Sequence, residues 1–121
     1  MSTPSLSDTE TIVMNAIWAA GGAAPAKDVS LQVAEKTGCT RATAYTYIQR
    51  LIAKGAIVRE DPGFLCRATI DRSDYRAAEV REMVERLFDG DPESLVAALV
   101  SSKQIAPERL DALKALADSV E

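Results

Sequence analysis

Between residues 40 and 69 the hydrophobic pattern changes from a helical period to a two-residue period, and this change limits the folds open to the chain. Thr40 is a good N-cap for a helix that runs to Lys54, and Gly55 fits the position just beyond its end. The apolar residues of this helix form one continuous stripe at helical spacing: Ala44, Tyr47, Ile48, Leu51 and Ile52. Two short apolar segments follow, 56–60 and 64–69, and the turn residues Asp61-Pro62-Gly63 separate them, which predicts a β-hairpin.

Two further helices are predicted before this segment and three after it. Ser7 and Glu10 have the spacing of a capping box at the start of the first helix, and a loop containing Pro25 leads to the second, at about 26–36. A fourth helix at about 74–88 is expected to be capped by Ser73, a fifth spans about 92–101, and a sixth begins near Pro107. The expected fold is mainly α with a small β-hairpin: a winged helix-turn-helix over 1–71, followed by a helical dimerisation domain over 72–121.

The composition points away from catalysis. The chain has no histidine, which is the commonest general acid–base and metal ligand, and it shows neither a Gly-rich phosphate loop nor metal-site spacing. We therefore predict a protein that is not an enzyme and needs no cofactor or metal. Cys39 and Cys66 are predicted to be two reduced thiols, with a disulfide or a redox switch as the alternative.

The sequence also gives no sign of a membrane or export signal. No apolar stretch approaches the ~20 residues that span a bilayer. The first ten residues lack both the basic and the apolar region of a signal peptide. We therefore expect a cytoplasmic protein.

The charge is unevenly distributed along the chain. The net charge is −4, yet residues 1–70 carry seven Lys and Arg against six Asp and Glu, whereas residues 71–121 carry seven against twelve. Within 36–67 there are six basic residues and two acidic ones, so this segment is locally basic. Because a DNA phosphate responds to local charge, the middle of the chain is suited to nucleic acid in spite of the acidic total.

The third helix is predicted to read DNA, because in a winged helix-turn-helix this helix enters the major groove. Its face opposite the apolar stripe carries Arg41, Thr43, Thr46 and Arg50, whose donors and acceptors suit base edges or phosphates. Lys54, Arg59 and Arg67 are expected to contact the DNA backbone or minor groove. Tyr45 either contacts DNA or packs inside the protein, and a polar face of this kind also occurs on ordinary solvated helices.

Helices four to six each show an apolar stripe in a segment too short to form a large core by itself. A second copy of the chain would cover these stripes through a two-fold interface, and the alternative is that they fold back on the winged helix in a monomer. The residues expected in the dimer interface are Val80, Met83, Val84, Leu87, Phe88, Leu95, Val96, Leu99, Leu110, Leu113 and Leu116.

Two segments, LSDTETIVMNAIW at 6–18 and TRATAYTYIQRLIAKGAIVRE at 40–60, resemble the penicillinase and methicillin-resistance repressor family. The second carries the pattern T-x-x-T-x-(I/L)-x-R-L-x-x-K-G from Thr43 to Gly55. The resemblance extends over almost the whole chain and implies a homodimeric repressor in which Thr43 and Thr46 read bases and Arg50 has a structural or phosphate-contacting role. The family often has Lys where this chain has Ala42, and Arg41 is placed to replace that contact.

The resemblance also bears on regulation. Members that guard β-lactam resistance are inactivated by a protease, and the equivalent bond lies near Ala98 and Leu99. The family usually has Asn before the cut, so Ala98 is a departure that argues against induction by a protease. Copper-responsive relatives use a C-terminal cysteine cluster, whereas this chain has no cysteine after Cys66.

Two functions remain in competition at this stage. The first is a transcriptional repressor that binds double-stranded DNA at a pseudo-palindromic operator as a homodimer, through the helix at 40–54 and the wing at 56–69. The second is a winged-helix module that binds another protein and not DNA. A steep loss of binding to promoter DNA with rising salt separates them in favour of the first.

Overall fold

The computed structural model describes residues 4–119, so Met1–Thr3 and Val120–Glu121 lie outside it. The helices are α1 (Asp8–Ala19), α2 (Ala26–Thr37), α3 (Arg41–Ala53), α4 (Arg72–Leu87), α5 (Pro92–Ser101) and α6 (Leu110–Asp118). The strands are β1 (Ala23–Pro25), β2 (Ile57–Glu60) and β3 (Leu65–Ala68), and a 3₁₀ turn at Pro107–Arg109 precedes α6. The chain divides into two compact units, one reaching Ala78 and the other beginning at Glu79, so the division falls inside α4.

The core of the first unit is built from the apolar stripes of α1, α2 and α3. Its largest members are completely buried, as periodicity predicts for side chains on the inner face of each helix. They are Val13, Met14 and Ile17 from α1, Val29 and Val33 from α2, and Ile48 and Leu51 from α3. Three short helices packed around one core, followed by the hairpin of β2 and β3, form a winged helix-turn-helix, which confirms the expected fold.

The sheet has three antiparallel strands in the order β1-β3-β2, one strand more than the sequence analysis predicted. The segment at Pro25 was expected to be a loop, but Ala24 pairs with Cys66 and Pro25 with Leu65. β1 is an edge strand, which is the place in a sheet where a proline without an N–H is tolerated. Its residues, Ala-Ala-Pro, include no β-branched or aromatic side chain, so the strand forms because β3 lies beside it and not from local propensity.

The helix ends of the first unit follow the capping signals in the sequence. Glu10 and Ser7 form the predicted capping box, with each side chain bonded to the other's backbone N–H. Thr40 caps α3, and α2 ends at Gly38, whose φ of 79° lies in the left-handed region.

The start of α4 differs from the prediction. Ser73 was expected to cap this helix, but it lies inside the first turn, because the helix begins at Arg72. The Ser73 hydroxyl donates to the Asp71 carboxylate, while the Tyr75 N–H donates to the Asp71 carbonyl. Trp18 of α1 anchors this turn: its indole N–H donates to the Ile70 carbonyl at 2.8 Å, and its ring centroid lies 5.6 Å from that of Tyr75.

The second unit contains the rest of α4 with α5 and α6. The bounds of α5 agree with the prediction, and Asp91 caps it by accepting from the Glu93 N–H. α5 and α6 contain no buried residue among those described, and Val84 is the large apolar side chain of α4 that is covered in this unit. No helix within residues 4–119 is long and apolar enough to cross a membrane.

Candidate nucleic-acid interface

The outer side of α3 presents Thr43, Thr46 and Arg50, and Arg41 is exposed as the first residue of the helix; we call these four residues the recognition face. All four side chains are exposed, and Ala44, Ile48 and Leu51 on the inner side are completely buried. The inner contacts fix the helix in the fold, while the outer side chains remain free to meet a partner. This separation of faces is what a helix needs in order to insert into a groove and stay in register.

The two threonines of the recognition face differ in their hydrogen bonds. Thr46 donates its hydroxyl proton to the Ala42 carbonyl one turn earlier, at 3.2 Å, so its oxygen faces outward as an acceptor. Thr43 accepts the hydroxyl proton of Thr40 at 3.0 Å, which leaves its own proton available for donation. Two residues of one type therefore present opposite hydrogen-bonding characters at neighbouring positions.

Arg50 lies at the C-terminal end of the recognition face and is held by an aromatic ring. Its guanidinium carbon is 5.4 Å from the ring centroid of the half-buried Tyr47, which is within cation–π range. The contact reduces the conformational freedom of a long exposed side chain and leaves its N–H groups available. The planar guanidinium can donate two parallel hydrogen bonds to a carboxylate, a phosphate or a guanine edge.

The wing, defined as Ile57–Ala68, carries Arg59 and Arg67 in exposed ion pairs. The Arg59 Nε is 3.2 Å from Asp61, and the Arg67 Nε is 2.9 Å from Glu60. The hydrogen bond from Arg67 lowers the pKa of Glu60, and the same bond raises the pKa of Arg67. Exposed pairs of this kind contribute little to stability, so phosphates can replace the carboxylates at small cost.

An aromatic contact joins the wing to α3. The Phe64 ring centroid is 6.0 Å from that of Tyr45, and the Arg59 guanidinium carbon is 3.8 Å from the Phe64 centroid. Phe64 has a φ of 49°, an uncommon conformation for a bulky residue, and its packing between the two side chains offsets the cost. Phe64 is not predicted from the sequence as a site residue, because an aromatic residue after a Pro-Gly turn is a weak signal. Tyr45 is half-buried, which favours its packing role.

Lys54 lies at the C-cap of α3, where its ammonium group contacts α1. It donates to the Glu10 carboxylate at 2.6 Å and to the Ser5 carbonyl at 3.0 Å. Burial alone would raise the pKa of Glu10, but the bonds from Lys54 and from the Ser7 backbone outweigh it, so the pKa of Glu10 lies below its ordinary 4.5. The group predicted to meet a DNA phosphate is thus engaged in an ion pair with an almost fully buried partner.

The two cysteines are not joined. Cys39 is half-buried in the turn between α2 and α3, and Cys66 is buried in β3. Burial raises the pKa of the Cys66 thiol above its ordinary value, which keeps it protonated and unreactive at neutral pH. The reduced thiols expected from the sequence are therefore the state that the structure shows.

Several predicted interface residues of the second unit are exposed. The exposed members form what we call the C-terminal apolar face: Val80, Met83, Leu87, Val96, Leu113 and Leu116. Of the remaining predicted members, Phe88, Leu95, Leu99 and Leu110 are half-buried and Val84 is buried. Ala98 and Leu99, the candidate cleavage residues, are half-buried within α5.

The fold and the recognition face define this molecule as a winged-helix DNA-binding regulator of transcription. A model of the penicillinase repressor family matches residues 6–119. The chain therefore belongs to the penicillinase repressor family, which consists of transcriptional repressors and not of enzymes. The resemblance noted in the sequence is confirmed by this match.

Two known proteins illustrate the relationship. The penicillinase repressor of Bacillus licheniformis is 28% identical over 112 residues, which cover 91% of this chain and 87% of that protein. The solution structure of the DNA-binding domain of the repressor BlaI has a TM-score of 0.53 and 32% identity, and the match covers 62% of this chain and 94% of that one.

Proposed function

We propose that this repressor binds a pseudo-palindromic DNA operator as a homodimer, with α3 in the major groove and the wing on the adjacent backbone. The observation that carries the proposal is the separation of the two faces of α3. Ala44, Ile48 and Leu51 on its inner side are fully buried, and Arg41, Thr43, Thr46 and Arg50 are all exposed. A helix anchored in this way presents its polar side chains at fixed positions, which sequence reading requires.

In this proposal the threonines read bases and the arginines contact guanine or phosphate. The outward oxygen of Thr46 would accept from an adenine or cytosine amino group, and the free proton of Thr43 would reach an acceptor such as guanine O6 or thymine O4. Arg41 would supply the contact that relatives make with Lys at the position of Ala42. Because this contact comes from a neighbouring position, the preferred operator would differ from that of those relatives.

The wing arginines would leave their carboxylate partners when phosphates replace them. Arg59 and Arg67 are about half exposed in their ion pairs, so the exchange costs little. Lys54 is placed differently, because its ammonium group already compensates the buried Glu10 carboxylate. We therefore revise its role from a phosphate contact to a residue that fixes the end of α3 on α1.

The homodimer is proposed from the C-terminal apolar face. Within residues 4–119, six of the eight exposed large hydrophobic side chains lie in the second unit. A unit that begins at Glu79 is too small to bury such side chains by itself, and a second copy covers them through a self-complementary contact. Two recognition faces would then lie about one DNA turn apart, or a multiple of it, on a pseudo-palindrome.

The position of the candidate cleavage bond does not favour release of the repressor by proteolysis. A protease needs an extended segment, and the bond between Ala98 and Leu99 lies inside α5 with both side chains half-buried. Ala98 also replaces the Asn that the family usually has before the cut. A fragment ending at Ala98 in cells that have lost repression would support an inducing protease, and intact chain in such cells would exclude it.

The experiment that tests the proposal is selection of genomic fragments bound by the full chain, followed by titration of the selected site at several salt concentrations. We expect a two-fold symmetric sequence, with an affinity that falls by roughly 10³-fold or more between 50 and 200 mM salt. Failure to enrich any fragment at low salt would contradict DNA binding. It would favour the alternative, a winged-helix module that binds another protein.

A further inference from the structure

The first unit contains a groove between α1 and α2 that the proposed DNA-binding surface does not include. Its volume is about 540 Å³, within the range of small-molecule sites. Ile12, Ala16 and Ala19 line it with apolar surface, and Arg72 from the first turn of α4 also lines it. We call it the α1–α2 groove. No residue of the recognition face contributes to it.

Arg72 carries an unsatisfied donor in this groove. Within the described part of the chain, its Nε is the buried side-chain nitrogen or oxygen that lacks a hydrogen-bond partner. The guanidinium carbon lies 5.9 Å from the ring centroid of Trp18, so the group is held against an aromatic surface. Leaving a buried charged donor unpaired is unfavourable, and a small movement of the Arg72 side chain toward an acceptor in the groove would relieve this cost.

The groove combines this donor with further charged groups. Lys36 and Glu35 line it with Arg72, so the lining carries two cations and one carboxylate. The excess of one positive charge matches a singly charged anion. A planar guanidinium pairs well with a carboxylate, and the apolar lining suits a hydrocarbon or aromatic body.

We infer that the α1–α2 groove binds a small organic carboxylate with an apolar body. The carboxylate pairs with the Arg72 guanidinium, and the body lies on Ile12, Ala16 and Ala19. Glu35 disfavours ligands with a second negative charge, such as a phosphate monoester. The inference does not rest on the proposed DNA binding, because neither the site nor its test involves DNA.

The test is a titration of the isotope-labelled full chain with 4-phenylbutyrate, and in parallel with the uncharged amide of the same acid. The Arg72 Nε–H signal reports on a lining residue of the groove, and the indole N–H of Trp18, the single tryptophan of the chain, reports on the ring beside Arg72. We expect saturable shifts of both signals by the acid, with a Kd of roughly 1 mM or tighter. The amide should bind at least about tenfold more weakly, because it lacks the charge that pairs with Arg72.

Three variants assign the site. Arg72→Gln should weaken binding of the acid by about tenfold or more, and Ala16→Leu should block it by filling the groove while leaving Arg72 in place. Arg76→Gln is the matched control, because Arg76 is exposed one turn further along α4 and does not line the groove. The two groove variants change different groups, so a folding defect in one leaves the other informative.

Three results would overturn the inference. One is equal affinity for the acid and the amide. Another is unchanged affinity of the acid for Arg72→Gln. The third is the absence of any saturable shift up to about 10 mM acid, because a specific site with the expected Kd would be largely occupied at that concentration.

Discussion

Thr43 and Thr46 show how the same side chain acquires two roles from its local hydrogen bonds. Thr40 donates to Thr43, and Thr46 donates to the Ala42 carbonyl, so one hydroxyl is left with a proton to give and the other with lone pairs. Each would therefore select a different base edge. The distinction depends on neighbours within one helical turn.

Replacing Thr46 tests this assignment at a single base pair. Thr46→Val keeps the shape but removes the oxygen, so affinity for the selected site should fall by about 1–3 kcal/mol and discrimination at one base pair should relax. Thr46→Ser retains the oxygen and is the matched control, with discrimination preserved. Titration against single-base variants of the selected site provides the measurement. An equal loss for all sequences would show that Thr46 does not read a base.

The Glu10–Lys54 pair makes stability depend on pH in a defined direction. The pKa of Glu10 is lowered in the folded chain from its ordinary 4.5, so the unfolded chain binds the proton more readily. The contribution of the pair is therefore fully present above about pH 4.5 and is lost as the pH falls through the lower folded pKa. Urea unfolding should show a difference between the native chain and Glu10→Gln that shrinks as the pH falls below 4.5. A difference that stays constant would contradict the linkage.

Removing the cation tests the same pair from the other side. Lys54→Met should lower the free energy of unfolding at pH 7 by about 1–2 kcal/mol, less than for a fully buried pair because the Lys54 side chain is 39% exposed. Lys27→Met, at an exposed lysine on α2, is the matched control and should change stability little. Equal losses in the two variants would mean that the pair contributes nothing specific.

At the level of elements, the wing and α3 act together through Phe64. The contact joins Tyr45 of the recognition helix, Phe64 at the start of the returning strand, and Arg59 of the outgoing strand. Ile57 and Cys66 fix the two strands of the wing in the core. The Phe64 contact adds to this by linking the Arg59 side chain, through its ring, to Tyr45 of α3.

Truncating Phe64 should remove the aromatic contact between the wing and α3. Phe64→Ala is expected to cost about 1 kcal/mol of stability for the aromatic pair alone and to release Arg59 from its position. In operator titrations at several salt concentrations, affinity should fall and the salt dependence should decrease by about one phosphate contact. Val58→Ala, at an exposed position on β2, serves as the control. An unchanged salt dependence in Phe64→Ala would show that Arg59 does not contact phosphate.

At the scale of the whole molecule, the second unit as far as residue 119 leaves six large apolar side chains exposed, and three of them belong to α4. Val80, Met83 and Leu87 lie at spacings of three and four along α4, so they share one side of the helix. Their exposure is the reason that a second copy of the chain is required in the proposal. Residues 71–121 carry an acidic excess, which does not favour contact with DNA phosphates.

Placing a charge on this face should dissociate the proposed dimer. Leu87→Asp puts a carboxylate at a side chain that is 58% exposed, so the monomer should remain folded while the interface is lost. Sedimentation should then report a monomer, and operator affinity should fall by roughly 100-fold because the two half-sites are no longer bound together. Leu31→Asp, at a 44% exposed leucine of the first unit, should remain dimeric. A Leu87→Asp variant that also remained dimeric would place the interface elsewhere.

The features predicted correctly from the amino-acid order are those that depend on near neighbours. The capping box at Ser7, the end of α2 at Gly38, and the two faces of α3 all arise from contacts within one or two helical turns. Side-chain spacing encodes such contacts directly. The helical character of the second unit follows from the same periodicity.

Other features depend on residues that are distant along the chain. Ala23–Pro25 becomes a strand because β3 offers a partner 40 to 44 residues later. Lys54, predicted from the sequence to contact a phosphate, forms an ion pair with Glu10, 44 residues away. Phe64 meets Tyr45, and Arg72 meets the α1–α2 groove, only once the helices have packed. Local propensity does not encode these pairings, because burial and charge compensation select them after the chain has brought distant segments together.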